Sequence, residues 1–404
     1  MKILQLCHKP PFPQFDGGTI AMNNISQGLL HLGHEIKVIA ITTPKHPVIE
    51  NDEYADYIKQ TNFESVFIDT TVTIWGALKS IFLNKSYHIE RFDHKNLHHK
   101  LVTTLKSEKF DIIQLETIYV APYIKTIKQY SDAKIVIRLH NVEHQIWERL
   151  VENEANIFKK ILLKKMASLL KKYELKIFKN VDAYMAISEI DNNFFKTLDL
   201  PIHGITIPFG IDIRQYQIDD DYFPSESLKL FHIGSMNWLP NLEGIEWFID
   251  EVWTHVIELY PQLTFTIAGR SMPDSIKAQE RDGIIIAGEV PDARKFMLSK
   301  DIMIVPLLSG SGIRVKIIEG MALGKTIIAT SIAAEGLDVV DGKNILIANT
   351  PEEMVKAIGL CVNSPEICKF IGENARNYVT LHHHNENISN EIIQFYNSLC
   401  YIKS

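Results

Sequence analysis

Residues 310–324 read Gly310-Ser311-Gly312-Ile313-Arg314-Val315-Lys316-Ile317-Ile318-Glu319-Gly320-Met321-Ala322-Leu323-Gly324. An apolar run at Ile302–Pro306 precedes this stretch and another at Thr326–Ala329 follows it, which predicts a strand, a loop, a helix and a second strand in that order. In such a unit the loop amides and the positive end of the helix face the carboxyl edge of the sheet, where anionic ligands bind. The stretch therefore predicts an α/β fold with an anion site.

The side chains of this stretch fit a nucleoside diphosphate. Glycines let the backbone approach phosphate oxygens, and Arg314 and Lys316 would neutralise the diphosphate as a leaving group. Glu319, one helical turn beyond Lys316, could hold the two vicinal hydroxyls of a ribose. The alternative for Glu319 is a simple i,i+3 ion pair with Lys316, which would stabilise the helix only slightly. The candidate substrate-binding residues of the loop are Ser309, Gly310, Ser311, Gly312 and Ile313, and the candidate catalytic residues are Arg314, Lys316 and Glu319.

The composition limits the class of protein. A chain of 404 residues exceeds the roughly 250 to 300 at which one core stops growing, so we expect two domains. The net charge of −7 argues against a surface built as a whole for nucleic acid. We predict no signal peptide, because the N-terminus turns polar at His8-Lys9, and no membrane span. The cysteines lack paired metal spacing and fit reduced thiols of a cytosolic protein; they are Cys7, Cys361, Cys368 and Cys400.

Two series of short apolar runs alternate with amphipathic stretches, which is the pattern of parallel sheets covered by helices. The first series predicts a helix at Ala21–Leu32 and strands at Lys2–Leu6, Ile36–Ile41, Ile112–Leu115, Lys134–Arg138 and Ala183–Ile187. The second predicts strands at Leu230–Ile233, Thr264–Ala268, Ile284–Ala287, Ile302–Val305, Thr326–Ala329 and Ile345–Ile347. Breaks in periodicity place the join within Ile205–Ser227, which includes the acidic run Asp219-Asp220-Asp221. We predict α/β domains at residues 1–207 and 208–380, with a C-terminal helix at 381–404.

Two loops of the first half are candidate binding sites. Gly17 and Gly18 follow the first strand, so the backbone there could approach a phosphate or sugar, although an ordinary turn would use the same residues. His140 and Glu143 follow another predicted strand, where imidazole and carboxylate could orient sugar hydroxyls. The alternative is a helix start capped by Asn141 with Glu143 in the first turn. We favour a functional role for His140 and leave both interpretations of Glu143 open.

Three further loops of the second half follow predicted strands at the same edge. The small residues that follow Ile233 suit phosphate contact, although Asn241 fits the N-cap of the next helix better. Arg270 suits a diphosphate, with an ion pair to a nearby acid as the alternative, and exposed backbone near Val290 could bind a base. The candidate substrate-binding residues of these loops are Gly234, Ser235, Asn237, Trp238, Arg270 and Val290.

The segment Asn156–Asn180 predicts one amphipathic basic helix. Apolar residues recur at helical spacing, and the lysines of Lys159–Lys179 face a single acidic residue, Glu174; they are Lys159, Lys160, Lys164, Lys165, Lys171, Lys172, Lys176 and Lys179. A solvated face and attraction to anionic lipid or to acceptor phosphates explain this pattern equally well. The consecutive His382-His383-His384 cannot converge on a metal ion, so we predict a loop there.

Together these motifs resemble the retaining family 4 glycosyltransferases of the GT-B fold, especially bacterial enzymes that build surface polysaccharides. The likeness extends over nearly the whole chain; the segments that carry it are Gly17-Gly18, the His140 segment, Ile187-Ser188, Pro208–Asp212, Gly310–Gly324 and Asn374-Ala375-Arg376. The resemblance implies two Rossmann-like domains facing a cleft, with C-terminal helices returning toward the N-terminal domain. It also implies a nucleotide-sugar donor bound mainly by the C-terminal domain and an acceptor bound mainly by the N-terminal domain.

Two positions depart from the family pattern. Members commonly carry two glutamates eight positions apart, and Ser311 stands where the first would be, while Glu319 matches the second. The Gly-Arg that often begins the second domain is replaced by Gly234-Ser235, so Arg314 and Lys316 would take over the phosphate contacts. These changes concern sugar recognition more than the overall chemistry.

We therefore expect a cytosolic glycosyltransferase of the hexosyltransferase class. The resemblance supplies the expectation that the sugar keeps its anomeric configuration when it moves to a glycan or lipid-linked acceptor. Because arginine, lysine and helix amides supply the positive field, we expect no metal and no other cofactor. The net charge of −7 makes nucleic acid an unexpected partner. Peripheral contact with the inner face of the plasma membrane follows if Lys159–Lys179 binds lipid. The alternatives are a nucleotide-sugar 2-epimerase on the same fold and a non-catalytic subunit that binds nucleotide sugar or glycan.

Overall fold

A computed structural model describes residues 1–14, 16–48, 52–198, 200, 202–218, 228–281, 283–310 and 312–401. The acidic run at Asp219–Asp221 and Ser311 therefore lie outside the described residues. Contacts divide the chain into two compact units. Unit 1 contains the residues up to Gly210 together with those from Asn385 onward, and unit 2 contains Ile211–His384.

Within the described residues, unit 1 is built on a seven-stranded sheet in the order β3-β2-β1-β4-β5-β6-β7. The strands are β1 Lys2–Cys7, β2 Glu35–Thr42, β3 Glu64–Phe67, β4 Ile112–Glu116, β5 Lys134–Leu139, β6 Ala183–Ala186 and β7 His203–Thr206. Each neighbouring pair is parallel. Side chains alternate between the two faces, so that Leu4 and Leu6 enter one apolar cluster while Ile3 and Cys7 enter another. Both faces of the sheet are thus buried under helices.

The helices of unit 1 before the join are α1 Gly17–His31, α2 Asp52–Thr61, α3 Ile74–Phe82, α4 Tyr87–Glu90, α5 Lys95–Ser107, α6 Ile124–Tyr130, α7 Glu143–Asn153, α8 Ile157–Ile177 and α9 Glu189–Lys196. The predicted start of α1 at Ala21 is wrong. Asp16 and Thr19 form a capping box, in which the Asp16 carboxylate accepts from the amide of Thr19 and the Thr19 hydroxyl accepts from the amide of Asp16. The helix therefore begins at Gly17. This cap outweighs the poor helix propensity of Gly17 and Gly18.

Unit 2 contains a parallel sheet of six strands among its described residues, in the order β10-β9-β8-β11-β12-β13. The strands are β8 Lys229–Ile233, β9 Thr264–Ala268, β10 Ile284–Gly288, β11 Ile302–Val305, β12 Thr326–Ala329 and β13 Leu346–Ile347. The helices are α10 Leu239–Trp247, α11 Thr254–Leu259, α12 Asp274–Lys277, α13 Ala293–Leu298, α14 Val315–Ala322, α15 Pro351–Asn363 and α16 Pro365–His382. The predicted class, two parallel α/β domains, is confirmed. The short strands β3 and β7 were not predicted.

The last described helix, α17 Asn385–Tyr401, belongs to unit 1. Its side chains Ile392 and Tyr396 join the apolar cluster that contains Met22 and Ile25 of α1. The two helices approach so closely that a Cβ at Gly28 would overlap the hydroxyl of Ser389. No helix among the described residues of either unit has both the length and the apolar character needed to span a bilayer.

Candidate functional site

The loop between β11 and α14 lies at the carboxyl edge of the unit 2 sheet. Gly310 and Gly312 adopt φ values of 110° and 84°, which residues with a Cβ rarely adopt. A Cβ at Gly310 would also lie 3.1 Å from both Arg314 Nη2 and Trp238 Cζ2. The loop therefore requires glycine for its turn and for its approach to these two side chains.

Lys316 is held at this edge by neutral partners. Its ammonium donates to Asn241 Oδ1 at 2.7 Å and to His232 Nε2 at 3.2 Å. His232 Nδ1 lies 2.8 Å from the carbonyl oxygen of Ile304, so Nδ1 donates the proton and Nε2 is left as an acceptor. Burial and the charge of Arg314 lower the pKa of Lys316 to about 7. Lys316 is thus an oriented cation whose charge is poorly compensated by its surroundings.

The loop after β8 packs directly on Lys316. A Cβ at Gly234 would lie 2.9 Å from Lys316 Nζ, and Asn241 Nδ2 donates to the carbonyl of Ser235 at 2.9 Å. The N-cap role expected for Asn241 is wrong, because α10 begins at Leu239 with Trp238 at its N-cap. Asn241 instead joins the Gly234–Trp238 loop to Lys316.

Arg314 occupies the N-cap position of α14 and is buried. Its guanidinium carbon lies 5.3 Å from the centroid of the Trp238 ring, and Nη1 donates to the carbonyl of Gly312. A guanidinium at this distance from an aromatic ring is attracted to the ring face. Trp238 and Arg314, both predicted site residues, are therefore brought into contact.

Glu319 and Lys316 do not form the i,i+3 ion pair that the sequence left as an alternative. Glu319 Oε1 accepts from the hydroxyl of Tyr216 at 2.9 Å, while Lys316 turns to Asn241 and His232. Burial raises the pKa of Glu319, although the Tyr216 hydrogen bond opposes this shift. Glu319 and Lys316 thus bind different partners along one face of the helix.

Further predicted residues follow neighbouring strands of the same sheet. The carbonyl of Arg270, after β9, accepts from the amide of Met236 at 2.9 Å, which joins the β8 and β9 loops. Val290 follows β10 and is half-buried, and Ser309 donates to Glu243 Oε2 at 3.2 Å. Ser235 donates to the side-chain oxygen of Asn237 at 2.8 Å. Since β10, β9, β8 and β11 are consecutive in the sheet, all these residues lie at one edge.

The corresponding edge of unit 1 contains His140. Its Nε2 lies 2.7 Å from Glu116 Oε2, and Arg138 Nη1 lies 3.5 Å from the same oxygen. Gln5 donates to the other oxygen of Glu116 at 2.7 Å. Burial alone would raise the pKa of Glu116, but Arg138 and His140 lower it to about 2. His140 therefore faces a permanently charged carboxylate that is already well compensated.

His8 and Tyr119 link His140 to Glu143. The ring centroid of His8 lies 6.2 Å from that of His140 and 5.8 Å from that of Tyr119. Tyr119 donates to Glu143 Oε2 at 2.9 Å. Burial, with the charge of Glu174 adding to it, raises the pKa of Glu143 to about 7. The structure thus brings both predicted residues into one row of polar side chains at the carboxyl edge of unit 1.

The start of α7 is not capped by Asn141, as the alternative interpretation of this segment required. Val142 occupies the N-cap without a side-chain bond, and the amides of Glu143 and His144 each donate to Glu174 at 3.0 Å. Glu174, on α8, also lies 2.6 Å from His144 Nδ1. The acidic residue of the basic helix is therefore buried and occupies the N-terminus of α7.

Gly17 and Gly18 form the first turn of α1 rather than a loop. Lys9 Nζ lies 2.6 Å from Asp16 Oδ2, and a Cβ at Gly18 would lie 3.1 Å from the same ammonium. Gly18 thus leaves room for the Lys9 side chain over the helix N-terminus.

Comparison with solved structures identifies the fold. Sucrose-phosphate synthase from Thermosynechococcus elongatus is similar over 99% of both chains, with a TM-score of 0.69 and 15% sequence identity. Anabaena HepE, solved in complex with UDP and glucose, is similar over 98% of this chain and 100% of its own, with a TM-score of 0.63 and 16% identity. At these identities the likeness shows the architecture alone, which is GT-B.

Sequence comparison identifies the kind of protein. Residues 227–364 match the family model described as glycosyl transferases group 1. An uncharacterized glycosyltransferase of Methanocaldococcus jannaschii is 26% identical over 225 residues, covering 50% of this chain and 55% of that protein. The chain is a glycosyltransferase. A Klebsiella pneumoniae protein described as an uncharacterized 44.6 kDa protein in the cps region is 24% identical over 364 residues, covering 86% of this chain and 87% of its own.

Several polar partners in the glycosyltransferase were not predicted. Glu116 ends β4, and a carboxylate directly after the run Ile112–Leu115 was a visible signal, as was His8 directly after β1. Tyr216 and His232 gave no such signal, because they lie 103 and 84 residues from their partners. In the described part of the glycosyltransferase, no three His, Cys, Asp or Glu side chains are arranged to hold a metal ion.

Proposed function

We propose that this glycosyltransferase transfers a sugar, with retention, from a nucleoside-diphosphate sugar to a glycan or lipid-linked acceptor in the synthesis of surface polysaccharide or glycoconjugate. The observation that carries the donor class is Lys316, an ammonium bound by Asn241 and His232 beside the glycine loop. Two similar proteins support the context: one is a cps-region protein, and the other was solved with UDP and glucose. Hexose is the proposed sugar class.

The proposed donor site lies at the carboxyl edge of unit 2. Lys316, Arg314 and the amides of Gly310, Gly312 and Ile313 would bind the diphosphate and stabilise the charge that grows on the leaving β-phosphate. Arg314 is suited to this because its contact with the Trp238 ring holds the guanidinium beside the glycine loop before the ligand binds. Glu319 would accept hydrogen bonds from the ribose hydroxyls while Tyr216 orients the carboxylate.

The proposed acceptor residues lie at the carboxyl edge of unit 1. Burial lowers the pKa of His140, although Glu116 opposes the shift, so the ring is neutral near pH 7. Glu116 Oε2 accepts a hydrogen bond from His140 Nε2, so the ring proton is on Nε2. Nδ1 of His140 is then left as an acceptor for a sugar hydroxyl. In the proposed reaction the leaving phosphate takes the proton of the attacking hydroxyl on the same face of the sugar, so no protein nucleophile is needed.

We also propose that the enzyme is cytosolic and contacts the inner face of the plasma membrane through α8. Segment 157–173 contains six lysines and no acidic residue. Lys159 and Lys171 pair with Glu154 and Glu148, which leaves Lys164, Lys165 and Lys172 exposed without an ion pair among the described residues. Such a cluster is attracted to anionic lipid.

The test of the proposed function combines binding with product analysis. UDP, GDP and ADP, and their glucose forms, are screened for an increase in melting temperature, because a ligand that binds only the native state raises it. The stabilising nucleotide sugar is then incubated with lipid-linked and free glycan acceptors, and the products are followed over time. Transfer that requires acceptor, with the anomeric configuration kept, is expected. Conversion of donor without acceptor would indicate the epimerase, and inversion would contradict retention.

A further inference from the structure

Helix α3 exposes one continuous apolar face. Ile74, Trp75, Leu78 and Phe82 are 77%, 83%, 46% and 89% exposed. Positions i, i+1, i+4 and i+8 lie on the same side of an α-helix, so these four side chains share one surface. Soluble proteins rarely leave large apolar side chains grouped in this way without a partner.

The exposure does not come from a poorly packed helix. Thr73 caps α3 by accepting from the amide of Gly76 at 3.1 Å, and the hydroxyl of Tyr87 accepts from the amide of Thr73 at 2.7 Å. Ala77 and Tyr87 form a buried cluster with Met166 of α8. Helix α3 is therefore anchored by its opposite face, and its exposed face has a fixed place on unit 1.

The neighbouring helix α8 begins with a similar surface. Phe158 and Ile161, in its first two turns, are 81% and 62% exposed. They alternate with lysines, and an apolar face beside exposed lysines is the composition of helices that lie in a membrane interface.

Charge decides which partner fits these residues. Segments 70–89 and 157–173 contain no Asp or Glu, whereas Lys79, Lys164 and Lys165 are exposed. An isologous contact between two copies would place these lysines against lysines, which is unfavourable. A bilayer with anionic phospholipid headgroups complements both the positive charge and the apolar surface.

We propose that α3 and the first two turns of α8 form a membrane-insertion surface of unit 1. Trp75 and Phe82 enter the boundary between headgroups and acyl chains, and the lysines of α3 and α8 bind the headgroup phosphates. This inference rests on the proposed peripheral location and adds insertion of α3 to the electrostatic attraction of α8.

The first experiment measures co-sedimentation of the full chain with phosphatidylcholine vesicles containing phosphatidylglycerol, at low and high salt. Trp75→Ser combined with Phe82→Ser is expected to weaken partitioning about tenfold or more, because two apolar side chains that enter the bilayer are lost. Lys164→Glu with Lys165→Glu is expected to weaken it mainly at low salt. The matched control is Leu259→Ser with Leu381→Ser, two exposed leucines of unit 2, which is expected to change nothing.

The second experiment places Trp75 in the bilayer. Brominated acyl chains are expected to quench part of the tryptophan fluorescence of the wild type, and Trp75→Phe is expected to lose that quenching while still binding vesicles. Because Trp75 is exposed, its replacement leaves the fold intact, which thermal melting checks.

Three outcomes would overturn the inference. The first is that the wild type does not bind vesicles, and the second is that the α3 variant binds them as well as the wild type does. The third is that light scattering shows a dimer of the wild type and a monomer of the α3 variant, which would assign the surface to a second copy. The α3 variants are also screened for stabilisation by UDP, GDP and ADP. If none of these nucleotides stabilises the wild type, the proposed function is contradicted. This melting measurement does not depend on vesicle binding, so the two hypotheses can fail separately.

Discussion

The two sheet edges of this glycosyltransferase carry opposite electrostatic designs. At the unit 2 edge, the Lys316 ammonium is surrounded by an amide and a neutral imidazole, so its positive charge is available to a ligand. At the unit 1 edge, the Glu116 carboxylate is compensated by Arg138, Gln5 and His140. An uncompensated cation suits an anionic ligand, and a compensated polar row suits a neutral hydroxyl. The difference is the physical basis for assigning the donor to unit 2 and the acceptor to unit 1.

The largest expected effect tests the cation of unit 2. Lys316→Met should lower kcat/KM for transfer about 10³-fold, since a cation aimed at developing charge is removed. Lys343→Met, a change at an exposed lysine of the same unit, is the control in steady-state assays. A loss below about tenfold would remove Lys316 from the proposed donor site.

The pH dependence of nucleotide binding sharpens the same point. Lys316 has a pKa of about 7 in the unliganded protein and carries its charge below that pH. A diphosphate binds the protonated form, so its affinity should fall as the pH rises above 7. Isothermal titration from pH 6 to 9 measures this slope, which should flatten in Lys316→Met.

The second effect tests the polar row of unit 1. His140→Ala should lower kcat about 10²-fold, because a group that orients the acceptor is lost, while nucleotide affinity stays unchanged. His99→Ala, at an exposed histidine of the same unit, is the control. Weakened nucleotide binding in His140→Ala would break the division of roles between the two edges.

A third prediction concerns stability. Glu143 has a raised pKa of about 7, so between its unfolded value near 4.5 and 7 the native state binds more protons. Its contribution to stability is complete below pH 4.5 and is lost as the pH rises through 7. The free energy of unfolding of the wild type should fall by about 2 kcal/mol between pH 5 and 7.5 in denaturant unfolding, and Glu143→Gln should not show this loss. Glu152→Gln, on the same helix, should leave that loss in place.

The smallest expected effect tests the ribose contact. If the screen identifies UDP as the ligand, the wild type should bind it about tenfold more tightly than 2′-deoxy-UDP, because a hydrogen bond to the Glu319 carboxylate is lost. Glu319→Ala should bind both nucleotides equally, whereas the exposed Glu280→Ala should keep the preference. An unchanged preference in Glu319→Ala would contradict the ribose role.

The sequence predicted the sheets better than the contacts around the candidate residues. Runs such as Ile302–Val305 are apolar throughout, which is typical of parallel strands buried on both faces. The strand Glu64–Phe67 was missed because only four residues, two of them exposed, carry its pattern. Local periodicity likewise could not show that α1 starts at Gly17, since that start depends on hydrogen bonds between Asp16 and Thr19.

Partners distant in sequence explain the remaining differences. Lys316 and Glu319 have the spacing of a helical ion pair, but Asn241 and Tyr216 supply other hydrogen bonds. The single acid of the basic helix, Glu174, had no partner in the sequence analysis, and the structure shows that it binds the first amides of α7. In each case the tertiary fold brings in a better partner than any within one helical turn.

The packing of α17 on α1 has a consequence for biosynthesis. The apolar side chains of Met22 and Ile25 are covered by a segment that the ribosome makes only after all of unit 2. Part of the interior of unit 1 therefore stays open to water until all of unit 2 has been translated. Nascent chains stalled before Asn385 should consequently recruit chaperones that bind exposed apolar surface, and chains extended past Tyr401 should release them.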